Sequence, residues 1–201
     1  LAFKYRNPAM ILSDGVIGQM MEKVVLPPIK PRRTEEQIRK ECPWATIGRT
    51  MDREPNILTS LELKPEVMEA RNLHMQEKYK LCKENEVRYE AQKCDDADYI
   101  IVSFGSAARI GEKAVELARE QGIKAGLFRP ITLWPFPSKQ IAEIAKGKKG
   151  ILVSEINAGQ MIQDVRLAIN GALPVEHFGR LGGIVPEPEE IVNALKEKLM
   201  K

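Results

Sequence analysis

Glu155, Asn157 and Gln160 crowd the stretch EINAGQMIQDVR, where an apolar run ends and a helical pattern begins. A carboxylate at such a point can act as a general acid or base. Two flanking amides can equally well hold it as a structural hydrogen-bond hub. Ligands and partner surfaces collect at the carboxyl ends of strands in open α/β sheets, so the position alone leaves both roles open. His74 lies in a charged helical stretch and His177 beside Phe178. Neither has a recognisable partner in sequence, and neither is expected beside the 155–160 turn. No nucleophile–base arrangement is visible. Cys42, Cys82 and Cys94 form no Cys-x-x-Cys pair, the spacing that brings thiolates together on zinc or iron–sulfur clusters. They read as reduced thiols, no metal site is expected, and any electron carrier sits elsewhere.

Two glycine-bearing turns invite a phosphate. SFGSAARIGEK places Gly105 at the start of a helical pattern, where free N–H groups attract anions. A Walker loop needs four residues between its glycines and then Lys-Ser/Thr. Gly105 and Gly111 have five residues between them and Glu112 follows, so the motif reads as a tight turn with Ser106 as the helix cap. GRLGG gives backbone freedom at a sharp reversal, and its Arg180 is suited to a carboxylate or a phosphate. FRPITLWPFP carries Trp134 and Phe136 between prolines, a pattern of docking knobs and of core lids alike.

The elements around these residues follow from periodicity. Residues 9–12 read as a buried strand, Ser13 and Asp14 as caps of a following helix, and Pro27–Pro28 as its stop. Residues 29–95 read as a connector carrying one bridging helix after Pro65, with Met68, Met75, Tyr79 and Cys82 on one stripe. From residue 97 onward strands alternate with helices: DYIIV, a helix from 106 to 121, IKAGLFRPI, a helix after PFP, KGILVSEI, a helix with Met161, Ile162, Val165, Ala168 and Ile169 inward, PVEHFGR, and a last helix burying Ile191, Leu195 and Leu199. That alternation means an α/β domain, three-layer αβα with a mostly parallel sheet.

Composition narrows the class. The 31 basic and 28 acidic residues are interleaved, and the net charge of +3 lacks the one-sided basic face of a nucleic-acid binder. IKPRR (residues 29–33) is the only basic cluster and reads as solvated linker. A 43% hydrophobic content is that of a globular chain. No apolar run reaches the ~20 residues of a membrane span. The first residues lack a signal peptide's apolar core, so a cytoplasmic location is expected. The chain begins with Leu, as a piece of a longer polypeptide would.

Three blocks together, NPAMILSDGVIGQMMEKVVLP, ADYIIVSFGSAARIGEKAVELAREQGIKAGLFRPITLWPFP and EINAGQMIQDVRLAINGALPVEHFGRLGGIVPEPEEI, resemble the second half of the alpha subunit of 2-oxoacid:ferredoxin oxidoreductases. The ketoisovalerate (branched-chain 2-oxoacid) type is nearest in feel, the 2-oxoglutarate type next. The resemblance implies that residues 1–28 end a thiamine-diphosphate pyrimidine-type domain, that 29–95 are a connector, and that 96–201 are a transketolase C-terminal-like domain. It implies CoA-dependent oxidative decarboxylation of a 2-oxo acid in the complete enzyme, with electrons passed to ferredoxin. That enzyme uses thiamine diphosphate, iron–sulfur clusters and coenzyme A, and assembles with thiamine-binding beta, gamma and ferredoxin-like subunits. No cofactor is expected on this chain alone. No catalytic residue carries over, so Glu155, Asn157, Gln160, Trp134, Phe136 and Arg180 are expected as interface or support residues. A stand-alone protein-interaction module without catalysis is the alternative.

Overall fold

The computed structural model describes residues 1–21, 23–46, 48, 51 and 54–201. Its contacts divide the chain into two compact units, Leu1–Met20 with Gln76–Lys201, and Met21–Met75. In chain order the elements are α1 (Ala2–Tyr5), α2 (Gly15–Gln19), α3 (Glu35–Glu41), α4 (Pro65–Asn85), β1 (Tyr89–Gln92), β2 (Tyr99–Val102), α5 (Gly105–Glu120), β3 (Ala125–Pro130), α6 (Ser138–Ile144), β4 (Gly150–Glu155), α7 (Met161–Ile169), β5 (Val175–Gly179) and α8 (Pro188–Leu199).

The first unit is built on a five-stranded sheet in the order β1-β3-β2-β4-β5. The strands β2 to β5 run parallel, and β1 closes one edge antiparallel to β3, with Tyr89 opposite Pro130. Successive side chains on a strand point to opposite faces, and here both faces are dry, so the central strands are continuously apolar. Ile100, Val102, Phe128, Ile151 and Val153 meet Ile141 of α6 and Met161, Ile162, Val165 and Ile169 of α7 on one side. Tyr99, Ile101, Leu127 and Leu152 meet Ala114, Val115 and Ala118 of α5 and Ile191 and Leu195 of α8 on the other. This is the three-layer αβα arrangement expected from the alternation, with a mostly parallel sheet.

Residues 9–12 depart from expectation. They are not a strand: Met10 is 84% and Ile11 95% exposed. An apolar run supplies strand propensity, but a strand exists only against a neighbour that takes its hydrogen bonds, and this segment has none among the described residues. The helix after it is also short, ending at Gln19. Asp14 is its N-cap, accepting from the Ile17 N–H at 2.9 Å, while Gly15 and Gly18 weaken its interior.

The stretch read as connector holds more structure than composition suggests. In the second unit α3 carries a complete capping box, with Thr34 Oγ1 accepting from the Gln37 N–H and Gln37 Oε1 accepting from the Thr34 N–H. Arg71, in the part of α4 that belongs to this unit, donates to the Thr59 carbonyl at 3.2 Å. In the first unit residues 89–92 are the edge strand β1, all four of them exposed. An edge strand with one neighbour and charged side chains carries no period-2 apolar signal. Further along, α4 shows the expected stripe: Cys82 is buried, and Met68, Met75 and Tyr79 are partly so.

Candidate functional site

Glu155 ends β4 with its side chain fully buried. Its carboxylate reaches the start of α7 and accepts from the N–H groups of Gln160 (3.3 Å), Met161 (2.8 Å) and Ile162 (3.1 Å). Those are the donors a helix leaves without internal partners, and the helix dipole adds to their attraction for a negative charge. Glu155 is therefore the anion at the N-terminus of α7. Asn157 Oδ1 completes the turn, accepting from the N–H groups of Gly159 (2.8 Å) and Gln160 (3.2 Å). Gln160 contributes its backbone, and its side chain faces outward. Asp164, in the first turn of α7, has its carboxyl pushed up by burial and then by the Glu155 charge. A carboxylate shut from solvent and held by three N–H groups is placed to hold a helix, not to exchange protons with a substrate.

One expectation at this turn fails. His177 does lie beside it, with Nε2 3.7 Å from Glu155 Oε1. The parallel register of β4 and β5 brings Val153 next to His177 and Glu155 next to Gly179. No sequence spacing could reveal that, because the partners are brought together by strand pairing across a helix.

The C-terminal ends of β2 and β4 lie where the strand order reverses, the usual ligand position in open α/β sheets. A cleft of about 480 Å³ opens there, lined by Asp14, Gly15, Phe104 to Ala107, Ile156 and Asn157 among others. The Gly105 turn enters α5 at φ +57°. Ser106 is not the cap that the sequence suggests, since Phe104 takes that position without a side-chain bond. Ser106 Oγ instead donates to Asp14 Oδ2 at 2.6 Å. That bond, followed by the Ile17 N–H, holds the Asp14 carboxyl below the usual range. The N-terminus of α5 thus already faces an anion from the chain itself, a poor setting for a diphosphate.

A second cleft, of about 700 Å³, lies beside the ends of β2 and β3 between Tyr5, Leu12, Glu86, Phe104, Arg129 and Trp134. Glu86, 7% exposed, accepts from Lys4 Nζ at 2.6 Å and Tyr5 Oη at 2.7 Å. These two contacts, Lys4 first, lower its carboxyl. Trp134 stands edge-on to Tyr79 with ring centroids 5.5 Å apart, yet stays 54% exposed, and its bond to Pro135 is cis. Phe136 packs against the core under α6 and α7. Arg180 has met a carboxylate, Glu190 of α8, at 3.0 Å.

Among the described residues no three His, Cys, Asp or Glu side chains converge into a metal-ligand set, and the three cysteines are separately buried and free. This donor set does not fit an iron–sulfur cluster. Burial also pushes the Cys94 thiol up, away from the thiolate a metal needs. No helix of the described residues is long and apolar enough to cross a membrane.

Comparison with known proteins gives this geometry a context. Residues 97–191 match the family described as pyruvate:ferredoxin oxidoreductase core domain II. The ketoisovalerate oxidoreductase subunit VorB of Methanothermobacter marburgensis is 41% identical over 98% of this chain and 54% of its own length. The 2-oxoglutarate synthase subunit KorA of the same organism is 30% identical over 97% of this chain and 57% of its own. The chain therefore spans about half the length of the curated relatives it matches. The solved 2-oxoglutarate:ferredoxin oxidoreductase of Magnetococcus marinus shares the fold, with a TM-score of 0.60 and 24% identity over 69% of this chain and 24% of that one. The relatives bear the letters A and B, so their names do not carry the alpha designation expected from the sequence. The chain is thus similar along nearly its whole length to subunits of ketoisovalerate oxidoreductase and 2-oxoglutarate synthase, and the stretch that matches core domain II, residues 97–191, lies in the αβα unit.

Proposed function

We propose that this chain is the C-terminal part of an alpha-type subunit of a 2-oxoacid:ferredoxin oxidoreductase, with a branched-chain 2-oxo acid or 2-oxoglutarate as the substrate of the whole enzyme. Its own task is assembly and domain packing, in the cytoplasm. Residues 1–28 end a pyrimidine-type domain, 29–95 connect, and 96–201 form the docking domain. Thiamine diphosphate, iron–sulfur clusters and coenzyme A belong to the complete enzyme. Thiamine-binding beta, gamma and ferredoxin-like subunits are its partners. The observation that carries the reading is the 41% identity running through 98% of the chain, joined to Glu155, a fully buried carboxylate at the end of β4 that is committed to the start of α7.

Calorimetry on the purified chain tests it: no heat of thiamine diphosphate binding is expected, and tight binding by the chain alone overturns the reading. Co-expression with neighbouring oxidoreductase subunits is expected to retain the chain in one complex. Replacement of Asn157 by Ala is expected to weaken that complex before it alters any rate. The half-exposed Trp134, with Ile131 exposed beside the same cleft, favours a second reading, a free-standing module that docks a partner protein. The genomic sequence directly upstream of Leu1 separates the two, because only the first requires a pyrimidine-type domain encoded there.

A further inference from the structure

Residues 1–20 belong to the first unit, but no core holds them there. None of them is buried. Val16 and Ile17 are the best covered of their large apolar side chains, and each is still more than a third exposed. Among the described residues, none of the segment's backbone hydrogen bonds crosses to the rest of the unit; they close α1 and α2 locally. Burial of so little apolar surface contributes little to docking.

Side chains fasten the segment instead, at two places. Lys4 Nζ and Tyr5 Oη both donate to Glu86, just past the end of α4, at 2.6 and 2.7 Å. Asp14 accepts from Ser106 Oγ of α5 at 2.6 Å. A weaker contact sets Arg109 Nη1 3.7 Å from Met20 Sδ. The Lys4 side chain is 61% exposed and that of Glu86 8%, so the segment is what covers the acid. Pairs with an exposed partner contribute modestly, whereas release returns conformational entropy to every residue of a free chain end. A segment balanced in this way leaves before the core unfolds.

Its position gives that departure a consequence. Leu12 and Ile17 of the segment line both clefts, together with Phe104 and Gly105 at the end of β2. The segment is therefore the wall between them. We propose that residues 1–20 are a releasable strap across the mouth of the sheet, clasped at Glu86 and at Ser106, and that its release joins the two clefts into one trough. That trough lies at the carboxyl ends of the strands, where open α/β sheets take their ligands. The strap is a property of the free chain and stands apart from the proposed role in assembly.

Thiol labelling of the full chain under native conditions tests it, with the modified cysteines identified by mass spectrometry. Cys82 is buried and lines the second cleft beside the Glu86 clasp. Cys94 lies in the core between the sheet and its helices and reports global unfolding. In the double variant Lys4→Met, Tyr5→Phe, the labelling of Cys82 is expected to quicken by about tenfold or more, since both bonds to a charged group are lost. The rate at Cys94 is expected to stay as in wild type. Ser106→Ala is expected to quicken Cys82 in the same selective way. An unchanged rate at Cys82, or a rise shared equally by Cys94, overturns the strap. Should the variants fail to fold, wild type decides: raising salt from about 0.05 to 0.5 M screens the exposed Lys4 and is expected to quicken Cys82 alone by about twofold. No selective rise overturns the proposal.

Discussion

Glu155 shows how one side chain can look catalytic and be architectural. Its position at a strand end is that of many active-site acids, but both oxygens are occupied by backbone donors of α7. Replacing it by Ala strands those donors in a dry interior. The expected loss is about 2–4 kcal/mol of unfolding free energy, read from urea midpoints, and a loss near zero would mean that the α7 start is not held this way. Asp14 offers a pH test of the same kind. Its carboxyl is lowered by Ser106 and then by the Ile17 N–H, so its contribution is complete above the unfolded carboxyl value of about 3.9 and is lost as pH falls through the lower folded value. Asp14→Asn is therefore expected to cost stability at neutral pH, with the gap to wild type closing in the acid range. A gap independent of pH contradicts the Ser106 contact.

Among the elements, α5 and α3 make opposite demands. The apolar side of α5 lies so close to the sheet that a Cβ at Gly111 would meet Ser103 Oγ at 2.9 Å and Leu127 Cδ1 at 3.1 Å. Gly111→Ala raises helix propensity by about 1 kcal/mol, yet overpacking of a filled interface costs about 1–3 kcal/mol. The net expectation is a lower Tm, and a higher one would show that α5 can lift from the sheet. Helix α3 has no buried residue and leans on its capping box. Thr34→Ala is expected to cost about 1 kcal/mol locally, seen as faster amide exchange over residues 35–41 while the αβα unit keeps its Tm. Equal loss in both would mean that α3 and the sheet unfold together.

At the scale of the molecule, apolar exposure is uneven. Met10, Ile11 and Leu12 in the first unit, and Val24, Val25, Leu26, Ile57, Leu58 and Leu63 in the second, are all more than half exposed. The relatives have about as much chain again. If assembly is the role, Trp134→Ala is expected to weaken subunit association by about 2 kcal/mol or more and to change the Tm of the free chain less. Its packing on Tyr79 is a single edge contact on a half-exposed ring. Unfolding of the variant in the absence of any partner would place Trp134 in the core instead.

Taken alone, the sequence determined the αβα unit. Apolar runs bounded by glycine and proline, alternating with stripes of 3.6-residue period, are local signals that burial on both faces of a parallel sheet rewards. It also placed Glu155, Asn157 and Gln160 at one turn, because they are neighbours in chain. It did not yield β1, whose exposed residues carry no apolar period, and it overcalled residues 9–12, because propensity cannot supply a neighbouring strand. The Glu155–His177 approach, the Asp14–Ser106 bond and the commitment of Glu155 to α7 were decided only by tertiary structure. Each joins groups far apart in sequence or sets a side chain's direction, and both depend on strand register and packing, which no spacing along the chain encodes.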